Sequence, residues 1–329
     1  MSKQAARAVP DRDERRERAA AWAAKQLGLE DIRLTPVSAD ASFRRYFRCH
    51  VPDGSLILMD APPQQENSAP FLDVAARLRK AGLRAPQIRA FDLAQGFGLL
   101  EDFGDRLYRE VLHPQADEAF AELLELLPIM AARVDAGGLP EYGPALLQKE
   151  LDLFPDWYLA RHKSRQLSIA ERAQWQSVCA LLLESAGQQP RAFVHRDFHS
   201  CNLLQTLAGP GIIDFQDAVR GPVSYDFVSL IWDRYISWPR PRIEAWMREL
   251  RPALAPSVAA AEWIRYCDWM GLQRNLKIVG IFARLAQRDA KPAYLELVPR
   301  FYRYLLDVTP RYRELQALQR LLEQPECAP

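Results

Sequence analysis

Two short apolar runs, Arg191 to Val194 and Gly211 to Ile213, each end directly in a polar cluster. The first cluster is His195-Arg196-Asp197-Phe198-His199-Ser200-Cys201-Asn202, and the second begins at Asp214-Phe215. A chain built this way must present both clusters in loops carried by short strands. The residue types are those that phosphoryl transfer requires, because that reaction asks for positioning and charge neutralisation and little covalent chemistry from the protein. Asp197 can accept the proton of an acceptor hydroxyl, Asn202 can reach a metal through its carbonyl oxygen, and Asp214 offers the same ion a hard anionic oxygen. Read as structure alone, His195 fills a core position, Asp197 and Asn202 form turns, and Asp214 caps a strand. The occurrence of both motifs in this order argues for chemistry.

The rest of the chain predicts an α+β fold of two lobes. Arg12 to Leu27 is rich in helix formers and stops at Gly28. Three runs with strand character follow, Ile32 to Val37, Phe43 to Val51 and Ser55 to Met59, and they read as an antiparallel meander. A helix is expected over Ala69 to Ala81, then strands at Gln87 to Phe91 and Phe97 to Glu101. Beyond Asp105 the helical period dominates, in Glu118 to Val134, Ala170 to Ala186, Ile243 to Leu250, Ala259 to Met270 and Tyr294 to Leu306. The expected division is residues 1–101 as a nucleotide-binding sheet lobe and 102–329 as a helical lobe with the catalytic and metal loops.

Charge excludes some partners. With 43 Lys plus Arg against 42 Asp plus Glu, no global field recruits nucleic acid or an anionic membrane. Five scattered cysteines, with no CxxC pair, are expected to be free thiols in a reducing cytosol. The segment Ser2 to Arg18 is crowded with charge where a leader would need an apolar stretch, and no apolar run reaches membrane-spanning length. A cytoplasmic monomer is expected.

Taken together, VHRDFHSCNLL, GIIDFQDAVRGPVSYDFVSLIWD and LLEDFGD resemble the aminoglycoside phosphotransferase family, relatives of the protein kinases, over nearly the whole chain. Within that family, SADASFRRYFR, LMDAPP and IDFQDAVRGPVSYD are similar to bacterial kinases that act on the anomeric hydroxyl of N-acetylmuramate and N-acetylglucosamine. The resemblance implies a protein-kinase-like fold, ATP and Mg²⁺ as cofactors, and an α-1-phosphate product used in cell-wall sugar recycling. It makes Asp197 the catalytic base, Asn202 and Asp214 the metal ligands, and Asp226 a structural anchor. It also makes Leu99 to Phe103 the stretch joining the lobes, where backbone groups near Glu101 and Phe103 would bind the adenine edge.

The pattern departs from the kinases beside the phosphates. They use a glycine-rich loop and a strand lysine, whereas this chain has Ser38-Ala39-Asp40-Ala41-Ser42 and, at the strand, Leu56-Ile57-Leu58-Met59-Asp60. Ser42, backbone N–H groups around Phe43, and Arg44 or Arg45 are the available substitutes, since an arginine fork suits phosphate oxygens. The same departure keeps open a nucleotide-binding regulatory module without catalysis.

For the acceptor, the candidates are Phe198, His199, Gln216, Asp217, Arg220 and the aromatic pair Trp157-Tyr158. The two rings offer flat faces to a pyranose or pack in a helical core. Ala259 to Arg303 carries eight basic and four acidic residues, and Arg161, His162, Lys163 and Arg165 add a basic cluster. That balance disfavours a polycationic aminoglycoside and fits a neutral or anionic sugar. A kinase for an aminoglycoside or another alcohol remains the alternative within the fold.

Overall fold

The computed structural model describes residues 13–39, 43–113 and 116–329, and these divide into two compact units, the described residues up to 75 with 86–104, and 76–85 with the described residues from 105 onward. In the first, five antiparallel strands are ordered β1 (Arg33–Ala39), β2 (Arg45–Val51), β3 (Gly54–Asp60), β5 (Phe97–Glu101) and β4 (Ile88–Asp92). Each forms where branched and aromatic residues cluster between turn formers. The helix Glu14–Leu27 covers the sheet, burying Ala19, Ala23 and Ala24 against Phe47, Cys49, Leu58, Phe97 and Leu99. Asp13 caps its start by accepting the Arg16 N–H, and Gly28 ends it at φ +67°, a conformation that costs glycine nothing.

The second unit is helical, with two antiparallel ribbons. One pairs β6 (Arg191–Val194) with β9 (Val219–Pro222), and the other pairs β7 (Leu203–Thr206) with β8 (Gly209–Ile212). The fold class is therefore the α+β arrangement expected. Two helices differ from expectation. The segment Glu118 to Val134 is split into Asp117–Leu124 and Leu126–Arg133, because Pro128 lacks an N–H and its ring opposes the carbonyl four residues earlier, at Leu124. The helix expected to end at Met270 runs from Ala260 to Arg288. It is buried on all sides through its middle, so the amphipathic period that marks a surface helix is missing there.

That long helix organises the unit. Gly271 lies so close to Trp232 that a Cβ would stand 1.6 Å from the ring, and a Cβ at Gly280 would stand 2.4 Å from the Leu153 carbonyl carbon. Gly271→Ala is accordingly expected to cost about 1–3 kcal/mol through overpacking, a fall of a few degrees in melting temperature. Thermal unfolding measures it, and an unchanged midpoint would contradict the close approach. All five cysteines are free thiols, four of them buried. Among the described residues, no helix is long and apolar enough to cross a membrane.

Candidate active site

The loop 195–202 leaves β6, returns through β7, and is fixed at both ends by carboxylates that accept backbone N–H groups. Asp226, at the start of the helix Tyr225–Ile231, accepts the His195 N–H at 2.7 Å and the Arg196 N–H at 3.1 Å. Asp233 accepts the Ser200 N–H at 2.9 Å. Burial pushes the Asp226 carboxyl up to about 7 against the pull of its two amide donors. The Asp226 expectation, an anchor, has this as its physical content.

Between these anchors the side chains lock one another. Burial lowers His195 to about 4, so the ring is neutral. The Asp197 N–H lies 3.3 Å from Nδ1, and Nε2 lies 3.1 Å from the Ile213 carbonyl. An amide only donates and a carbonyl only accepts, so the proton sits on Nε2. His195 thereby ties the Asp197 loop to the residue before Asp214. Asn202 extends the link: its Nδ2 donates to the Asp197 carbonyl at 2.9 Å and approaches Asp214 Oδ2 at 3.4 Å, while the Ile213 N–H donates to the Asn202 carbonyl at 3.0 Å. Gln216 Nε2 donates to Asp214 Oδ1 at 2.8 Å. Arg196 and Asp214 are held at φ +75° and +62°, conformations costing about 1–3 kcal/mol each for residues with a Cβ, and such strain concentrates at functional sites.

Beneath the loop lies a charge network that the sequence reading did not single out. Glu150 receives Arg196 Nη2 at 2.8 Å and Lys277 Nζ at 3.0 Å on one carboxylate oxygen, and the Tyr142 hydroxyl and Gln273 Nε2 on the other. Lys277, from the long helix, also donates to the Tyr225 hydroxyl at 3.1 Å. Burial works against the charged form of Asp197, but the Lys277 ammonium, with Arg234 and the histidines, holds its carboxyl down to about 2. Asp197 is ionised at neutral pH. The available signal for Lys277 is a lone ammonium inside the apolar run Leu276 to Phe282; for Asp233 and Arg234 it is the abrupt end of the apolar run Phe227 to Trp232.

The structure brings Asp197, Asn202, Asp214 and Gln216 together. His199 lies in the same loop, 3% exposed, with its Nδ1 buried and lacking a hydrogen-bond partner. Asp217 is exposed, and its carbonyl accepts from Arg196 at 3.4 Å. Other predicted acceptor residues have different surroundings. Phe198 is wholly buried, edge-on to His195. Arg220 forms a surface ion pair with Glu141 at 3.0 Å. Tyr158 is wholly buried, stacks on Phe154 and donates to the Cys327 carbonyl at 2.9 Å, and half-buried Trp157 lies under Arg161.

The nucleotide candidates lie in the first unit, except Ser42, which falls outside the described residues. Arg45 is clamped by Asp13 and Asp60 at 2.5 and 2.6 Å. Arg44, 8% exposed, pairs with Glu66 at 3.1 Å, and the Phe43 N–H donates to the same carboxylate. Glu101 exchanges backbone and side-chain bonds with Gln87, and Phe103 is half-buried. Asp102, between them, is held by Arg48 at 2.6 Å and by Ser55 at 2.6 Å.

A family model described as "phosphotransferase enzyme family" matches residues 33–263, which include every element of the loop just described. The chain belongs to this phosphotransferase family. An N-acetylmuramate/N-acetylglucosamine kinase from Pseudomonas aeruginosa is 49% identical over 296 residues, 88% of this chain and 87% of the relative. A protein of the same description from Neisseria meningitidis is 39% identical, covering 92% and 93%. Among solved structures of the fold, a choline kinase from Streptococcus pneumoniae superposes with a TM-score of 0.63 at 12% identity, covering 89% of this chain and 99% of that one. The ADP-bound aminoglycoside phosphotransferase APH(2'')-Ib gives 0.57 at 15% identity, covering 86% and 96%. Family membership makes the chain an enzyme that transfers phosphate to a hydroxyl acceptor.

Proposed function

We propose that this phosphotransferase is an ATP- and Mg²⁺-dependent kinase. It converts N-acetylmuramate and N-acetylglucosamine to their α-1-phosphates for cell-wall sugar recycling, as a cytoplasmic monomer. The observation that carries the chemistry is the bonding of the Asn202 amide to both the Asp197 carbonyl and the Asp214 carboxylate, which gathers the ionised Asp197 and these two side chains into one cluster. The sugar assignment rests on the relatives from Pseudomonas aeruginosa and Neisseria meningitidis, which match nearly their full lengths.

Asp197 accepts the hydrogen bond of the anomeric hydroxyl and aims its oxygen at the γ-phosphorus; the new O–P bond forms as the bond to ADP breaks, and the proton passes to the carboxylate. The buried Lys277 and the half-buried Arg196 give the site a positive background for the developing charge. Asn202 and Asp214 fit Mg²⁺, which takes one or two protein oxygens and completes its shell with water and phosphate. A bound Mg²⁺ would neutralise charge on the transferring phosphoryl group. For the nucleotide, backbone groups of Glu101 and Phe103 take the adenine edge, and the phosphates fall to Ser42, Phe43 and an arginine. Arg44 and Arg45 are both ion-paired, Arg44 with Glu66 and Arg45 with Asp13 and Asp60, so whichever holds the phosphates exchanges a carboxylate for them. For the acceptor, the surroundings favour His199 and Asp217 over Phe198, Tyr158, Trp157 and Arg220.

Phosphorus NMR of the product made from ATP and N-acetylmuramate tests the proposal, since an anomeric phosphate couples to the ring proton at C1. A phosphate on another carbon, or turnover only with a different alcohol, would refute the sugar assignment. Gln216 holds one oxygen of Asp214 by hydrogen bond, so Gln216→Ala should raise the Mg²⁺ concentration for half-maximal rate by about 10- to 100-fold. An unchanged Mg²⁺ titration would remove Asp214 from the metal site.

A further inference from the structure

Arg234 is an arginine with no acceptor of its own beside the loop of Asp197. The segment carrying it is pinned on both sides. Asp233 binds the Ser200 N–H through one carboxylate oxygen and the Tyr235 N–H, at 2.8 Å, through the other. The Tyr304 hydroxyl lies 3.2 Å from the Asp233 carbonyl and 3.1 Å from that of Ile236. Ahead of it, Arg274 Nη1 donates to the Trp232 carbonyl at 3.1 Å. The Arg234 side chain is laid over the Phe282 ring, with its guanidinium carbon 5.6 Å from the centroid.

Among the described residues no carboxylate lies within ion-pair distance of Arg234, and its buried Nε has no hydrogen-bond partner. The neighbouring cations are occupied: Lys277 and Arg196 by Glu150, and Arg274 by the Trp232 carbonyl. The charge on Arg234 nonetheless acts on both Asp197 and His199. A buried donor without a partner is costly, and an arginine held in one place beside a reacting carboxylate is arranged for an anion that arrives with the substrate.

We propose that Arg234 is a specificity residue that binds a carboxylate on the acceptor. Resting on the sugar reading above, that carboxylate is the lactyl group of N-acetylmuramate. The lactyl ether stands on C3 and the reacting hydroxyl on C1, so the two functional groups are one pyranose ring apart. Arg234 acts on Asp197 through charge, and its neighbour Asp233 holds the same loop through the Ser200 N–H, so it is placed for a group on the acceptor other than the reacting hydroxyl. N-acetylglucosamine carries a neutral hydroxyl at C3 and leaves the charge unmatched. A fork that instead gripped the transferring phosphoryl group would serve both sugars equally, and the test separates the two cases.

The experiment compares kcat/KM for N-acetylmuramate, its methyl ester and N-acetylglucosamine in the natural enzyme, Arg234→Gln and Arg234→Lys. The natural enzyme is expected to prefer the acid to the ester by about 10- to 100-fold, the range of one charge-assisted hydrogen-bonded contact. Arg234→Gln should erase that preference, mainly through KM, and Arg234→Lys should restore part of it. Equal use of acid and ester by the natural enzyme, or an equal loss on all three acceptors in Arg234→Gln, would overturn the inference. The ester comparison needs no variant, so a misfolded Arg234→Gln leaves the test intact. Absence of turnover with either sugar would instead overturn the sugar reading itself.

Discussion

Asp197→Asn lowers kcat by about 10²- to 10⁴-fold, the range for loss of a general base, while the protein stays folded. The amide has the shape of the carboxylate, and the bonds that place residue 197 come from its backbone: its N–H reaches His195 and its carbonyl receives Asn202. The loop geometry therefore survives the substitution. What disappears is the ionised oxygen that Lys277 and Arg234 keep deprotonated. A coupled assay for ADP release, with circular dichroism as the control for folding, reads the result. Retention of more than a tenth of the turnover would show that Asp197 is not the base, and would favour a reading in which phosphate positioning alone drives transfer.

The second large effect is on stability. Glu150→Ala removes the one carboxylate shared by Arg196 and Lys277 and strands the buried Lys277 ammonium beside the half-buried Arg196. Burial opposes the charge on Glu150, yet Lys277, Tyr142 and Arg196 together hold its carboxyl below the usual range, so the anion is the stable form in the fold. Breaking a buried pair of this kind costs about 3–5 kcal/mol, because the surviving charge keeps its desolvation penalty. At about 2–4 °C per kcal/mol for a unit of this size, the melting temperature should fall by about 6–20 °C. Arg196 would also lose the bond that steadies its left-handed backbone, so activity should decline below the new midpoint. A shift under two degrees would mean that water reaches the network and screens it.

Much of this was legible in the amino-acid sequence, and the reasons are local. The sheet strands are bounded by Gly54, Pro62-Pro63 and Gly82, and their residues favour extended backbone. The motif pair announced itself because the polar clusters that hold Asp197, Asn202 and Asp214 begin at the ends of short strands. What stayed hidden depends on contacts distant in the chain. Glu150 lies 127 residues before Lys277, and nothing in the composition of either neighbourhood links them. Burial on every side likewise concealed the full extent of the helix Ala260–Arg288. Tyr158 shows the converse: a flat ring reads equally as a sugar platform or as core packing, and what buries it, the bond from its hydroxyl to the Cys327 carbonyl, is a pairing no local pattern reveals.

The helix Ala260–Arg288 touches the Trp232 ring through Gly271, the Leu153 backbone through Gly280 and the catalytic loop's charge network through Lys277. Three duties on one rod leave little room for it to soften by degrees. Opening it anywhere along its buried length would release the packing and the electrostatics of the reacting carboxylate in one event. On heating, then, loss of catalysis and loss of structure in this unit should follow a single curve, with no temperature interval in which the protein is intact but inert.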